Sequence, residues 1–154
     1  MSSKLRISAF VLFILAFIGL LFGIIFLYEA FSRQNYIVNA MQQEKISLSD
    51  IGINDGPPGV IDSMEKAQIA ADTVRAHRHS IAPSYGALMG GGKYDPTNPN
   101  HLRYAQALNI ENYLYLSVLG FGVIQIAMAT GGFMITVAIA LGVIGFILLK
   151  LNKA

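Results

Sequence analysis

Two long stretches without a charged side chain, residues 7–28 and 113–149, enclose everything acidic in this chain. All nine Asp and Glu residues fall between Glu29 and Glu111, together with Arg33, Lys45, Lys66, Arg75, Arg78, Lys93 and Arg103. The two ends carry only base: Lys4 and Arg6 before the first stretch, Lys150 and Lys153 after the second. Lys and Arg flanking membrane spans are retained on the cytoplasmic side, so this pattern predicts both termini inside and a polar middle outside. The formal net charge of +2 is the sum of two opposed regions and implies no nucleic-acid partner.

Composition agrees with a membrane solvent. Of 154 residues, 54% are apolar and 13% charged, too little charge for an ordinary soluble domain of this size. There is no Cys, so disulfides and thiolate metal sites are excluded. The first apolar run, about 22 residues long, matches the roughly 30 Å hydrocarbon core at helical rise. It exceeds the usual signal-peptide core, and Tyr28-Glu29-Ala30 is no small-x-small cleavage site, so an uncleaved anchor is expected, with a cleaved signal as the lesser reading. The second run, about 37 residues, is too long for one perpendicular span and barely long enough for two. A turn at Ala129-Thr130-Gly131-Gly132 would give three spans and put Lys150 and Lys153 outside. That segment lacks Pro, Asn and Asp, so two spans are preferred, residues 7–28 and 128–149. The flanks, residues 1–6 and 150–154, are then cytoplasmic and residues 29–127 extracytoplasmic.

Helical periodicity continues past Tyr28, with Phe31, Gln34, Val38 and Met41 on one face to about Lys45. A second helix from about Asn100 would lay the apolar residues 114–126 against this extension as an antiparallel stalk. Residues 46–59 are dense in Gly, Pro, Asn, Asp and Ser and read as a loop. Asp62 with Glu65 resembles a capping box, followed by Met64, Ala67, Ala71 and Val74 on one face to about His79, with Asp72 and Arg75 able to pair. Pro83 ends that helix, residues 84–98 form a second loop, and Asn98-Pro99 starts the next helix.

Gly19 and Gly23 form a G-x-x-x-G in the first span, and Ala138 and Gly142 a small-x-x-x-small pair in the second. Such notches let helix backbones approach, within the chain or against another subunit. Gln125 is placed to hydrogen-bond across the pair. His77, His79 and His101 are the nitrogen-type metal-ligand candidates, but His77 and His79 point about 200° apart on a helix, and polar residues at a helix end explain them more simply. Gly90-Gly91-Gly92-Lys93 is followed by Tyr94 where a phosphate loop needs Ser or Thr. Tyr28, Tyr113 and Tyr115 suit interfacial anchoring, while Tyr85, Tyr94 and Tyr104 could pack a cap. No nucleophile arrangement, H-E-x-x-H or carboxylate pair is present, and neither span has an ionisable residue in its middle.

Several short signals recur in order: Ala67-Gln68 in a short helix with a following His, Tyr85-Gly86-Ala87-Leu88, an Asp95-Pro96 turn, Ala107-Leu108-Asn109 leading into a long span, and Glu44-Lys45-Ile46 after the first. In these the chain resembles a group of small bacterial two-span membrane proteins, common in actinobacteria and often mislabelled as aromatic ring-opening dioxygenase. The resemblance covers most of the chain and implies both termini inside and a helical extracytoplasmic cap, with no activity attached. Residues 89–98 are longer and richer in Gly than is usual for that group. A non-haem iron centre would need two His and a carboxylate on a rigid frame, which the three histidines do not offer.

The expectation is an all-α integral membrane protein whose two long transmembrane helices extend into an extracytoplasmic helical stalk with a small helix-and-loop cap. It is expected to be a non-enzymatic accessory or interaction protein without a cofactor, whose partners are the lipid bilayer and other membrane subunits or itself. An extracytoplasmic ligand or metal sensor acting through a partner is the alternative, and a subunit of a membrane enzyme or transporter a weaker one.

Overall fold

The computed structural model describes residues 3–43 and 60–151, and among these there are four helices and no strand. They are α1 (Ser3–Gln43), α2 (Met64–Ile81), α3 (Tyr85–Met89) and α4 (Pro99–Leu151). Two of them, α1 with 41 residues and α4 with 53, are long and apolar enough to cross a membrane. At 1.5 Å per residue they extend about 60 and 80 Å, at least twice the hydrocarbon thickness. Ala129-Thr130-Gly131-Gly132 lies inside the uninterrupted α4, so the turn needed for three spans is absent. The expected loop over residues 46–59 lies outside the described residues, as does the continuation of α1 to Lys45.

The chain divides into two compact units. The first, Met1–Arg33 with Val123–Ala154, is an antiparallel helix pair. Gly145 faces Ala9, Leu12 and Phe13, Gly19 faces Ala138 and Met134, and Gly23 faces Gly131 and Ile135, so rising numbers on α1 meet falling numbers on α4. The seam repeats every seven residues. Ala9, Gly23 and Ala30 are buried and Ala16 half-buried on α1, while Gly131, Ala138 and Gly145 are buried on α4. A seven-residue period keeps one face in contact as two helices supercoil left-handedly, and small residues at that period bring the backbones close. Large apolar side chains point the other way: Ile7, Phe10, Phe17, Phe133, Ile139 and Phe146 are each more than 60% exposed. A soluble bundle inverts this arrangement.

The second unit, Gln34–Gly122, joins the end of α1, the helices α2 and α3, and the start of α4. Its core is Ile61, Ala67, Ala70, Ala71, Val74, Tyr104, Ala107, Leu114 and Phe121. α2 runs antiparallel to α4: Arg78 meets Tyr104 and Glu111, Asp72 meets Tyr115, and Met64 approaches Gly122. On the α1 side, a Cβ on Gly120 would lie 2.9 Å from Ile37 Cδ1. Met41 is buried and Gln34 and Val38 half-buried as the periodicity predicts, but Phe31 is 56% exposed. Ala30 takes the buried position beside it, because the period-seven run of small residues continues to that residue.

Local signals place the ends of the helices. The cap of α2 is Ser63, not Asp62: Ser63 Oγ accepts from the Lys66 N–H at 3.3 Å, and the Asp62 carboxylate pairs with Lys66 Nζ at 2.8 Å. α2 stops at Ile81 because Pro83 forces the preceding Ala82 into extended backbone, φ −157° and ψ 141°. Residues 84–98 are not wholly loop: Ser84 caps α3 by accepting from the Ala87 N–H, and Gly90 ends it at φ 53°, a left-handed conformation glycine adopts without strain. Asn98 Oδ1 accepts from the Asn100 N–H at 2.9 Å and Pro99 opens α4.

Candidate functional site

The buried face of α2 advances in helical steps, Ala67, Ala70, Ala71, Val74, and ends on Arg78. Opposite it on α4 run Tyr104, Ala107, Glu111 and Leu114. Both charged residues therefore occupy positions where helical spacing calls for apolar ones, and both are buried, Arg78 at 8% and Glu111 at 6% exposure. Arg78 Nε donates to Glu111 Oε2 at 2.6 Å and Nη2 to Oε1 at 3.2 Å, a bidentate fork. Nη1 donates to the Tyr104 hydroxyl, and the guanidinium carbon stands 4.9 Å from the Tyr104 ring centre. The bonded Glu111 carboxylate raises the Arg78 pKa above its ordinary value, against the opposing effect of burial. Among the described residues no buried side-chain nitrogen or oxygen lacks a partner. Tyr85 completes the cluster, its ring centre 6.3 Å from that of Tyr104.

Beyond this buried network lies an exposed polar ladder. Tyr115 donates to Asp72 Oδ1 at 2.8 Å and Gln68 Nε2 to Asp72 Oδ2 at 2.9 Å, so Asp72 bonds these two rather than pairing directly with Arg75. The Gln68 and Tyr115 bonds, with the nearby Arg75 charge, hold the Asp72 carboxyl below its usual range, and the same carboxylate raises the Tyr115 hydroxyl. An apolar groove of about 640 Å³ opens between the end of α1 and α4, lined by Ile37, Ala40, Met41, Ile110, Tyr113 and Leu116.

Of the four helix-packing candidates, Gly19, Gly23 and Ala138 lie in the seam of the first unit, whereas a Cβ on Gly142 would meet nothing within 4 Å. Gln125 is exposed. His77 and His79 are exposed, and His101 accepts from the Asp95 N–H through Nδ1 at 3.0 Å while stacking on Tyr94. No group of three His, Asp or Glu residues that could hold a metal occurs among the described residues. Gly90 and Gly91 take positive φ in a turn. Tyr28 and Tyr113 are 71% and 65% exposed, while Tyr104 and Tyr115 serve packing and hydrogen bonding.

Sequence reasoning gave Tyr104 a packing role but missed its bond to Arg78, and it missed Arg78 and Glu111, and also Ala9, Gly131 and Gly145 as packing positions. A signal existed for each set: the two charges stand on otherwise apolar helical faces, and the small residues recur every seventh position in both apolar runs. No family model, curated protein or solved structure matches the chain.

Proposed function

We propose that the chain is a non-enzymatic integral membrane protein that acts as an interaction or accessory subunit. It spans twice, through residues 7–28 and 128–149, with both termini cytoplasmic and residues 29–127 forming an extracytoplasmic helical stalk and cap. The observation that carries this reading is the inside-out packing of the first unit. Its two helices touch along a narrow small-residue seam and leave their bulky apolar side chains outward, for lipid and for the helices of other subunits. Sidedness rests on Lys4, Arg6, Lys150 and Lys153 against the acid-bearing middle. The chemistry in view is that of holding helices together, since Arg78 and Glu111 satisfy each other.

Two experiments test it. Because there is no native Cys, single substitutions Ser3→Cys, Ser63→Cys and Asn152→Cys report sidedness directly; Ser63→Cys is expected to react with an impermeant thiol reagent in intact cells, the other two only after lysis. Labelling of Asn152→Cys from outside contradicts the two-span arrangement. Extraction from native membranes in mild detergent, followed by intact-complex mass measurement, is expected to give an assembly of at least two chains. A lone monomer there contradicts the interaction role.

A further inference from the structure

The face α2 turns toward α4 is nearly featureless. Ala67, Ala70, Ala71 and Val74 form a smooth strip of small side chains. Moved along α4 by one turn, such a strip loses few van der Waals contacts, because small apolar groups find similar neighbours at each step. The α4 face, with Tyr104, Ala107, Glu111, Leu114 and Phe121, itself runs in steps of three, four and seven. Helices with repeating faces need some unlike position to select one alignment, and a polar side chain is the usual device.

One cluster breaks the repetition. A slip of one turn would set Arg78 opposite Ala107 or Leu114 in place of Glu111, leaving two charges out of water without partners. The native alignment instead gives the guanidinium both carboxylate oxygens, the Tyr104 hydroxyl and the Tyr104 ring. The planar fork fixes rotation as well as height, since both bonds form at one orientation of α2. A buried ion pair returns little net stability over an apolar pair of equal volume, yet breaking it is severe. We infer that Arg78, Glu111 and Tyr104 form a register key, which admits one docking of α2 on α4 and contributes selectivity rather than net stability. Asp72 and Tyr115 meet at an exposed site through one bond and cannot exclude slipped alignments by desolvation.

Cross-linking of paired cysteines with a short bifunctional thiol reagent in the membrane-embedded chain tests this. The Met64 side chain reaches residue 122, its Sδ 3.8 Å from the Cβ position there, so the bridged product of Met64→Cys with Gly122→Cys reports the native alignment. Met64→Cys with Val118→Cys, or with Gln125→Cys, reports a slip of one turn in either direction. With the key intact, the 64–122 product is expected to exceed either slipped product by roughly tenfold or more. In Arg78→Met with Glu111→Leu, helicity and melting temperature are expected to hold while a slipped product rises to within about threefold of the native one. A double variant that keeps its melting temperature and still forms 64–122 alone overturns the proposal. Loss of its helices overturns it equally, because the pair would then be a source of stability. The exchanged pair, Arg78→Glu with Glu111→Arg, is expected to return the single 64–122 product; mixed products from it also count against the key.

Discussion

Gly23→Ala and Gly142→Ala add the same methyl group to two glycines of the apolar helices, and only the first is expected to damage their pairing. A Cβ on Gly23 falls 2.6 Å from Ile135 Cγ1 and 2.9 Å from the Gly131 carbonyl oxygen. The Ile side chain can rotate; the carbonyl cannot. Ordinary contact begins near about 3.5 Å, so the backbones must part by roughly half an ångström at that level. A gap of that size forfeits about a quarter of the attraction of each facing atom pair, and overpacking of this kind costs about 1–3 kcal/mol. At Gly142 nothing lies within 4 Å, so the methyl group enters open space and the helix gains up to about 1 kcal/mol from replacing Gly by Ala. The assay is disulfide formation in Gly19→Cys with Ala138→Cys, whose Cβ atoms would stand 3.4 Å apart, close to the separation a disulfide spans. Adding Gly23→Ala should lower the rate and extent of oxidation in membranes, and the thermal midpoint of helix loss in detergent. Adding Gly142→Ala should leave both unchanged or improved. Equal damage from the two substitutions, or none from Gly23→Ala, would refute the seam as the basis of pairing.

Glu111→Leu alone strands Arg78 in the interior and should destabilise the second unit by about 3–5 kcal/mol, while the added Arg78→Met restores most of the loss; denaturant unfolding of the three chains measures it. Asp95 is held below the usual carboxylate range by the Thr97 hydroxyl, then by the Thr97 N–H, with Oδ1 accepting both. Its contribution to stability is therefore complete above an ordinary pKa of about 4 and is lost as pH falls through the lower folded value. Thr97→Val should move the Asp95 titration upward, as followed by carboxyl-carbon NMR. Tyr115→Phe should raise the Asp72 pKa in the same experiment, since one of its two bonding partners is removed. His101→Ala removes both the acceptor for the Asp95 N–H and the ring that stacks on Tyr94, and should speed proteolytic cleavage within residues 90–98.

Much of the secondary structure could be read from residue order because single residues carried it. Pro83 and Asn98-Pro99 act through fixed backbone geometry, and the stripe Met64, Ala67, Ala71, Val74 through helical spacing. The cap at Ser63 was displaced by one residue because Asp62 and Ser63 are both good caps, and the choice depends on which oxygen reaches the Lys66 N–H. The five residues of α3 carry no periodic signal, and only Ser84 before them and Gly90 after them mark it. Arg78 and Glu111 stand out on apolar faces, but their pairing is harder to read for a different reason. A charge on a helix is exposed by default, and its burial depends on a partner 33 residues away along the chain. The seam was half visible: Gly19, Gly23 and Ala138 satisfied a four-residue rule, but Gly142 satisfied it too and faces no neighbour. The seven-residue spacing of Gly131, Ala138 and Gly145, matched on α1 by Ala9, Ala16, Gly23 and Ala30, admits Gly23 and Ala138 and leaves out Gly142, while Gly19 enters the seam from the step between Ala16 and Gly23, facing Ala138.

That matching also sets a timetable for synthesis. Gly23 and Gly131, which share the tightest approach, are separated by 108 positions, the difference of their numbers. At about 5–20 residues per second, α1 emerges some 5–20 s before the segment that will cover its small-residue edge. Throughout that interval, an α1 placed in the bilayer presents an open notch of Ala and Gly to every neighbouring helix, including the α1 of another nascent copy. Final pairing must displace whatever has settled there, so chains made from one message at high density should mispair more often than chains made sparsely.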